Sequence, residues 1–150
     1  MIILVATEEE YLLARERYRN DKIIKTGIGA LNVMRTLCKA ICSDEICLNS
    51  SIINFGYVGS NKLPIGTEVE IKQCKLYHPN VEYEEKEYIL QQDGYVCYTS
   101  NDFVLETNIE EPVVFDMELA YILAIGFTNV KSIKIVSDNL SLKEYENNIK

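Results

Sequence analysis

Residues 113–124, VVFDMELAYILA, constrain the fold more tightly than any other stretch: a short apolar run of strand length passes without a linker into an amphipathic helix-forming segment. The junction carries Asp116 and Glu118. A strand that feeds a helix delivers such side chains to the carboxyl edge of a sheet, where open α/β folds bind their ligands, and the positive helix end favours an ionised carboxylate. Glu118 is thereby placed to accept hydrogen bonds from a ligand hydroxyl. The same residues also read as caps, Asp116 as an N-cap type and Glu118 as a first-turn acid.

At 150 residues and 47% hydrophobic content, the chain suffices for one domain with a core and is short for two. Lysine and arginine total 15 against 23 aspartate and glutamate, a formal charge of −8 that opposes contact with a nucleic-acid backbone or an anionic membrane. A phosphate-free nucleoside remains open as a ligand. Cys38, Cys42, Cys47, Cys74 and Cys97 form no CxxC pair, and their odd number predicts reduced thiols and a cytoplasmic setting. Cys38 and Cys42 share a helical face, but with His78 as the only histidine they read as buried structural thiols rather than metal ligands. The opening MIILVA is too short for a signal peptide and runs into Glu8, Glu9 and Glu10; no apolar run reaches membrane-spanning length.

Residues 2–6 predict a buried first strand, and Thr7 with Glu10 forms a capping box for the helix that follows. Glu10 is therefore a capping partner or a catalytic acid/base. A short strand at Ile23 and Ile24 leads through Thr26-Gly27-Ile28-Gly29 to a helix over residues 30–42, with Leu31, Val33, Met34, Leu37, Ala40 and Ile41 spaced for its buried face. The two glycines suit either a tight turn or close backbone approach to a ligand. Residues 51–59 predict a strand ending in a glycine-rich turn. Residues 67–71 alternate apolar and acidic side chains as a strand with one wet face, which residues 74–77 extend.

Residues 80–87 read as an exposed acidic connection, and the runs 88–90 and 95–98 flank Asp93-Gly94 as a hairpin would. Phe103, in a polar turn, is a loop anchor or a stacking platform. Gly126 closes the helix of the central stretch; residues 132–136 form a strand, interrupted by Lys134, that delivers Asp138 as a turn residue or a site acid. Ser141 and Glu144 make a second capping box. Strands and helices alternating in this order predict an α/β domain with a largely parallel sheet, its edge gathering Glu10, Glu118 and Asp138.

The segments VATEEE, KTGIGALNV, INFGYVG with LPIGTEVEI, SNDFV, VFDMELAYILA and IVSDN resemble, in order and along nearly the whole chain, the nucleoside phosphorylase and nucleosidase superfamily. The 5′-methylthioadenosine/S-adenosylhomocysteine nucleosidases are the members most similar, and this chain looks like a shortened, divergent one. The resemblance implies a three-layer fold whose mixed, largely parallel central sheet is flanked by helices. It implies hydrolysis of the N-glycosidic bond of a small purine nucleoside, without metal or organic cofactor, in a homodimer that completes the pocket.

By the same resemblance Glu10 would activate water, Asp138 would protonate the purine N7, and Glu118 would hold the ribose hydroxyls with Met117 beneath the sugar. Phe103 would stack on the base, backbone groups of Val104 would read its edge, and Gly56 and Tyr57 would approach the sugar. Tyr57 and Val58 stand where the family has small residues, so a partly filled pocket is expected. The chemistry needs an acid on the leaving-group side and a base beside the water, hence two carboxyls of different pKa, with Glu10 ionised and Asp138 protonated. Arg15, Arg17, Arg19 and Arg35 all lie in the first quarter of the chain, which favours water over a phosphate nucleophile needing cationic clamps. A phosphate-dependent phosphorylase and a non-catalytic nucleoside-binding or assembly protein are the alternatives.

Overall fold

A computed structural model describes residues 1–77 and 87–149. The elements run β1 (Ile2–Val5), α1 (Glu8–Arg17), β2 (Lys22–Lys25), α2 (Gly29–Cys42), β3 (Ile52–Ser60), β4 (Glu68–Leu76), β5 (Glu87–Ile89), β6 (Tyr95–Thr99), β7 (Val114–Asp116), α3 (Leu119–Ala124), β8 (Val130–Asp138) and α4 (Leu142–Asn148). The expected three-layer α/β architecture is present. Among the described residues five of the eight strand pairings are parallel.

Side-chain alternation builds the layers, because successive residues of a strand face opposite sides of the sheet. Ile3 and Val5 of β1 join Ile53 and Phe55 of β3 under Ala14 of α1. Leu4 and Ile52 face the other way, onto Val33, Leu37 and Ala40 of α2 and Ile122 of α3. Each large side chain so buried contributes roughly 1.5–3 kcal/mol. The sheet also closes on itself: β3 pairs β8, β8 pairs β4, β4 pairs β6, β6 pairs β7, and β7 returns to β3. Val58, Val69, Ile71, Cys74, Cys97, Val114 and Val136 pack together within that ring, capped by Leu119 and Ala120 of α3.

Several expectations are corrected. Leu31 and Met34 are 72% and 41% exposed. Val33, Leu37 and Ala40 define the buried stripe of α2, and at about 100° per residue position 31 lies on the opposite side. Cys38 and Cys42 are exposed for the same reason, whereas Cys74 and Cys97 are the buried thiols. The glycine-rich turn expected after residue 55 is not a turn: Gly56 to Ser60 remain in β3, paired with β8 and β7 across a register shift at Val58/Gly59. The second capping box forms by half. Ser141 accepts from the Glu144 N–H, but Glu144 reaches back to Asn139 rather than to the cap.

The hairpin around Asp93-Gly94 does not form either. β5 runs antiparallel along one edge of β4 and β6 runs parallel along the other, so β4 separates the two runs. Gly94, at φ +137°, crosses against the backbone of Glu70 and Lys72, where a Cβ would collide with the Glu70 carbonyl oxygen. Most of the acidic connection over residues 80–87 lies outside the described residues, and Glu87 already begins β5. No helix among the described residues is long and apolar enough to cross a membrane.

Candidate active site

Glu10 reaches the site from the first turn of α1. Thr7 caps that helix through the Glu10 N–H, and Glu10 Oε1 accepts from the N–H groups of Ala6 at 2.8 Å and Thr7 at 3.1 Å. Its Oε2 accepts from the Tyr57 N–H of β3 at 2.7 Å. The capping role is therefore met by one oxygen, while the other crosses to a neighbouring strand. Gly56 makes this crossing possible, since a Cβ there would collide with Glu10 Oε2. Burial pushes the Glu10 carboxyl above its ordinary range, against the pull of Lys134 and the three N–H donors.

Asp116 and Glu118 divide the strand-to-helix junction. Asp116, the last residue of β7, is buried; it accepts from the Thr99 hydroxyl at 2.5 Å and the Leu119 N–H at 2.8 Å, with Lys134 Nζ at 3.4 Å. These contacts tie β7 to β6, α3 and β8, and Asp116 also lines the cavity described below. Glu118 occupies the N-cap position of α3 without capping it and accepts instead from the Gly29 N–H, the first residue of α2, at 3.0 Å. Burial, with the Asp116 and Glu10 carboxylates nearby, pushes Glu118 up to about 8 despite Lys134 and Gly29. The helix end favours the ionised Glu118 expected from the sequence, whereas burial in this site opposes it, and the helix is only six residues long.

Asp138 ends β8, fully buried, and accepts from the Ser137 hydroxyl at 2.8 Å and the Leu140 N–H at 2.9 Å. Leu140 has φ +65°, so Asp138 is also the turn residue its sequence suggests. Gly59 stands opposite, where a Cβ would come within 2.8 Å of Asp138 Oδ2. Burial raises the Asp138 carboxyl as well, more than its hydrogen bonds lower it. Glu10 and Asp138 therefore move in the same direction and differ in their surroundings, with Lys134 acting on the first and the Ser137 hydroxyl on the second.

These side chains face one cavity of about 130 Å³. Glu10, Met117, Glu118 and Asp138 line it with Tyr57, Phe103 and Val104. Tyr57 is part of its wall. Gly56 is not on that wall, because the Glu10 carboxylate stands over it. Phe103 meets Tyr145 of α4 edge to face, with centroids 5.6 Å apart. None of the arginines lines the cavity, and Arg17 is engaged with Glu68.

Sequence reasoning missed Tyr145 and Lys134. A lysine within the apolar run 132–136 is the signal for Lys134, since a central strand has no solvent to receive an ammonium. Tyr145, four residues after the Ser141 cap, had no comparable mark. The arrangement offers carboxyls on several sides of an apolar hollow and an aromatic ring to stack on, the elements of acid/base chemistry at a glycosidic bond.

No protein-family model matches the chain, and no curated protein does. Solved structures do. The 5′-methylthioadenosine/S-adenosylhomocysteine nucleosidase of Helicobacter pylori, bound to a pyrrolidine-based ligand, superposes with a TM-score of 0.78 at 15% identity, covering 99% of this chain and 90% of its own. The corresponding nucleosidase of Neisseria meningitidis, in complex with methylthio-immucillin-A, gives 0.78 at 16% identity with the same coverage. The futalosine hydrolase of H. pylori gives 0.79 at 14%, covering 99% of this chain and 89% of its own. The likeness read from the ordered motifs thus extends to three dimensions: the chain has the three-layer α/β fold of these nucleosidases.

Proposed function

We propose that the protein is a cytoplasmic purine nucleosidase that hydrolyses the N-glycosidic bond of a small nucleoside, of the 5′-methylthioadenosine or S-adenosylhomocysteine type. The single observation that supports this reading is the meeting of Glu10, Glu118, Asp138 and Phe103 around one cavity. Glu10 takes a proton from the attacking water. Positive charge develops on the sugar as the bond to the base stretches, and Asp138 delivers a proton to N7 so that the purine leaves neutral. Glu118 holds the ribose hydroxyls, Met117 packs beneath the sugar, Tyr57 closes the side nearest Glu10, Phe103 stacks on the base and Val104 reads its edge. The absence of arginine from the lining residues favours water over phosphate. Ile28, Leu31 and Met34 expose apolar surface at the start of α2, next to the cavity, which supports a homodimer.

One observation weighs toward a binding protein without turnover: burial raises the Glu10 carboxyl, which works against the ionised form that a general base requires. The two readings separate in one assay. Purified protein at high concentration is incubated with 5′-methylthioadenosine, S-adenosylhomocysteine, adenosine and inosine without phosphate, and free base is measured. Release of adenine is the expected result. No release together with calorimetric binding of adenine supports the second reading, and strict dependence on added phosphate supports a phosphorylase.

A further inference from the structure

Lys134 lies at the middle of β8 with 2% of its side chain exposed. In register it sits beside Gly56 of β3 on one side and Val69 of β4 on the other. Paired residues of neighbouring strands project from the same face of a sheet. The Lys134 side chain therefore rises next to the bare backbone of Gly56, over which the Glu10 carboxylate stands. Its nearest anionic contact is Asp116 Oδ2 at 3.4 Å, longer than a full charge-assisted hydrogen bond of about 2.7–2.9 Å. One carboxylate does not absorb the whole of its field. The titratable groups facing the ammonium are Asp116 from β7, Cys97 from β6, Glu118 ahead of α3 and Glu10 from α1. Burial alone would push Lys134 down, and these neighbours hold it above its ordinary value, so it remains an ammonium.

We propose that Lys134 is a positioning residue that keeps Glu10 ionised and so makes Glu10, rather than Asp138, the carboxylate able to take a proton from water. This inference rests on the nucleosidase reading above. The strongest influences on Asp138 besides burial are Ser137, Leu140, Ser141 and Glu144, none of them a cation. Removing the ammonium leaves Glu10, Asp116 and Glu118 as mutually repelling carboxyls in a site with little water, and the uncompensated charge is relieved by protonation.

The test is a carbon-13 NMR titration of the glutamate carboxyls in the full chain, with Glu10 assigned through Glu10→Gln. In Lys134→Met the Glu10 midpoint is expected to rise by about one pH unit or more, with return toward the wild-type value in Lys134→Arg. The acidic limb of kcat/KM moves up by the same amount, and kcat falls while KM changes little. An unchanged Glu10 midpoint in Lys134→Met overturns the proposal, as does a Lys134→Arg variant that fails to restore it. Should Lys134→Met not fold, Asp116→Asn keeps an acceptor for Leu119 and strips the ammonium of its nearest partner; Glu10 must then titrate lower, and a midpoint that holds or rises overturns the proposal. If the wild type hydrolyses no nucleoside, the nucleosidase reading fails while the titration still decides the role of Lys134.

Discussion

The carboxylate of Glu10 stands in the space that a side chain on Gly56 would need. A glycine in the middle of a buried strand weakens the strand unless something must approach its backbone, and here that something is a carboxylate also held by the Tyr57 N–H. Gly56→Ala is expected to displace Glu10, destabilise the protein by about 1–3 kcal/mol and abolish base release. Thermal denaturation and the adenine assay check it. A variant that melts like wild type and retains activity would show that the two residues are not coupled.

Glu10→Gln and Asp138→Asn preserve shape and remove a proton acceptor and a proton donor. Each is expected to lower kcat by about 10²–10⁴-fold; Glu10→Gln also costs about 1–3 kcal/mol of stability, because its amide NH2 faces a backbone N–H that a carboxylate oxygen now accepts. Steady-state kinetics beside circular dichroism reads both.

Glu118 predicts a pH dependence of stability. Its folded pKa, raised from 4.5 to about 8, means that the folded state binds more protons than the unfolded state between those values. Unfolding free energy therefore falls as pH rises through that window and levels off above it. Glu118→Gln cannot ionise and should flatten this slope, gaining on wild type at pH 8 relative to pH 5. Melting curves of both proteins across the range decide it; parallel curves would refute the assignment.

Phe103 and Tyr145 form an edge-to-face pair on the cavity wall. Phe103→Ala is expected to weaken adenine binding by about 1–3 kcal/mol, the usual worth of one base–aromatic stack. Calorimetry with free adenine measures this without reliance on turnover.

Exposed Leu31 and Met34 sit on the side of α2 turned away from its buried stripe. Replacing both with aspartate should convert the proposed dimer to monomer and leave the α2 packing intact. Sedimentation velocity at micromolar concentration gives the answer, and a wild-type protein that is already monomeric removes the dimer.

The chain by itself determined the order and type of most elements. Apolar runs of strand length such as residues 2–6, the Thr7 cap of α1 and the central junction at Asp116 are local signals, set by side-chain periodicity and by hydrogen bonds a few residues apart. Glu10, Glu118 and Asp138 were legible as acidic residues at or just past strand ends. Only the tertiary structure decided how strands became neighbours, because pairing joins residues far apart in sequence: β5 and β6 parted around β4, and Gly56 to Ser60 remained in a strand. The direction in which each carboxyl's pKa moves was likewise decided in three dimensions. Desolvation and the proximity of Lys134 and Asp116 set it, and neither is written in the neighbours along the chain.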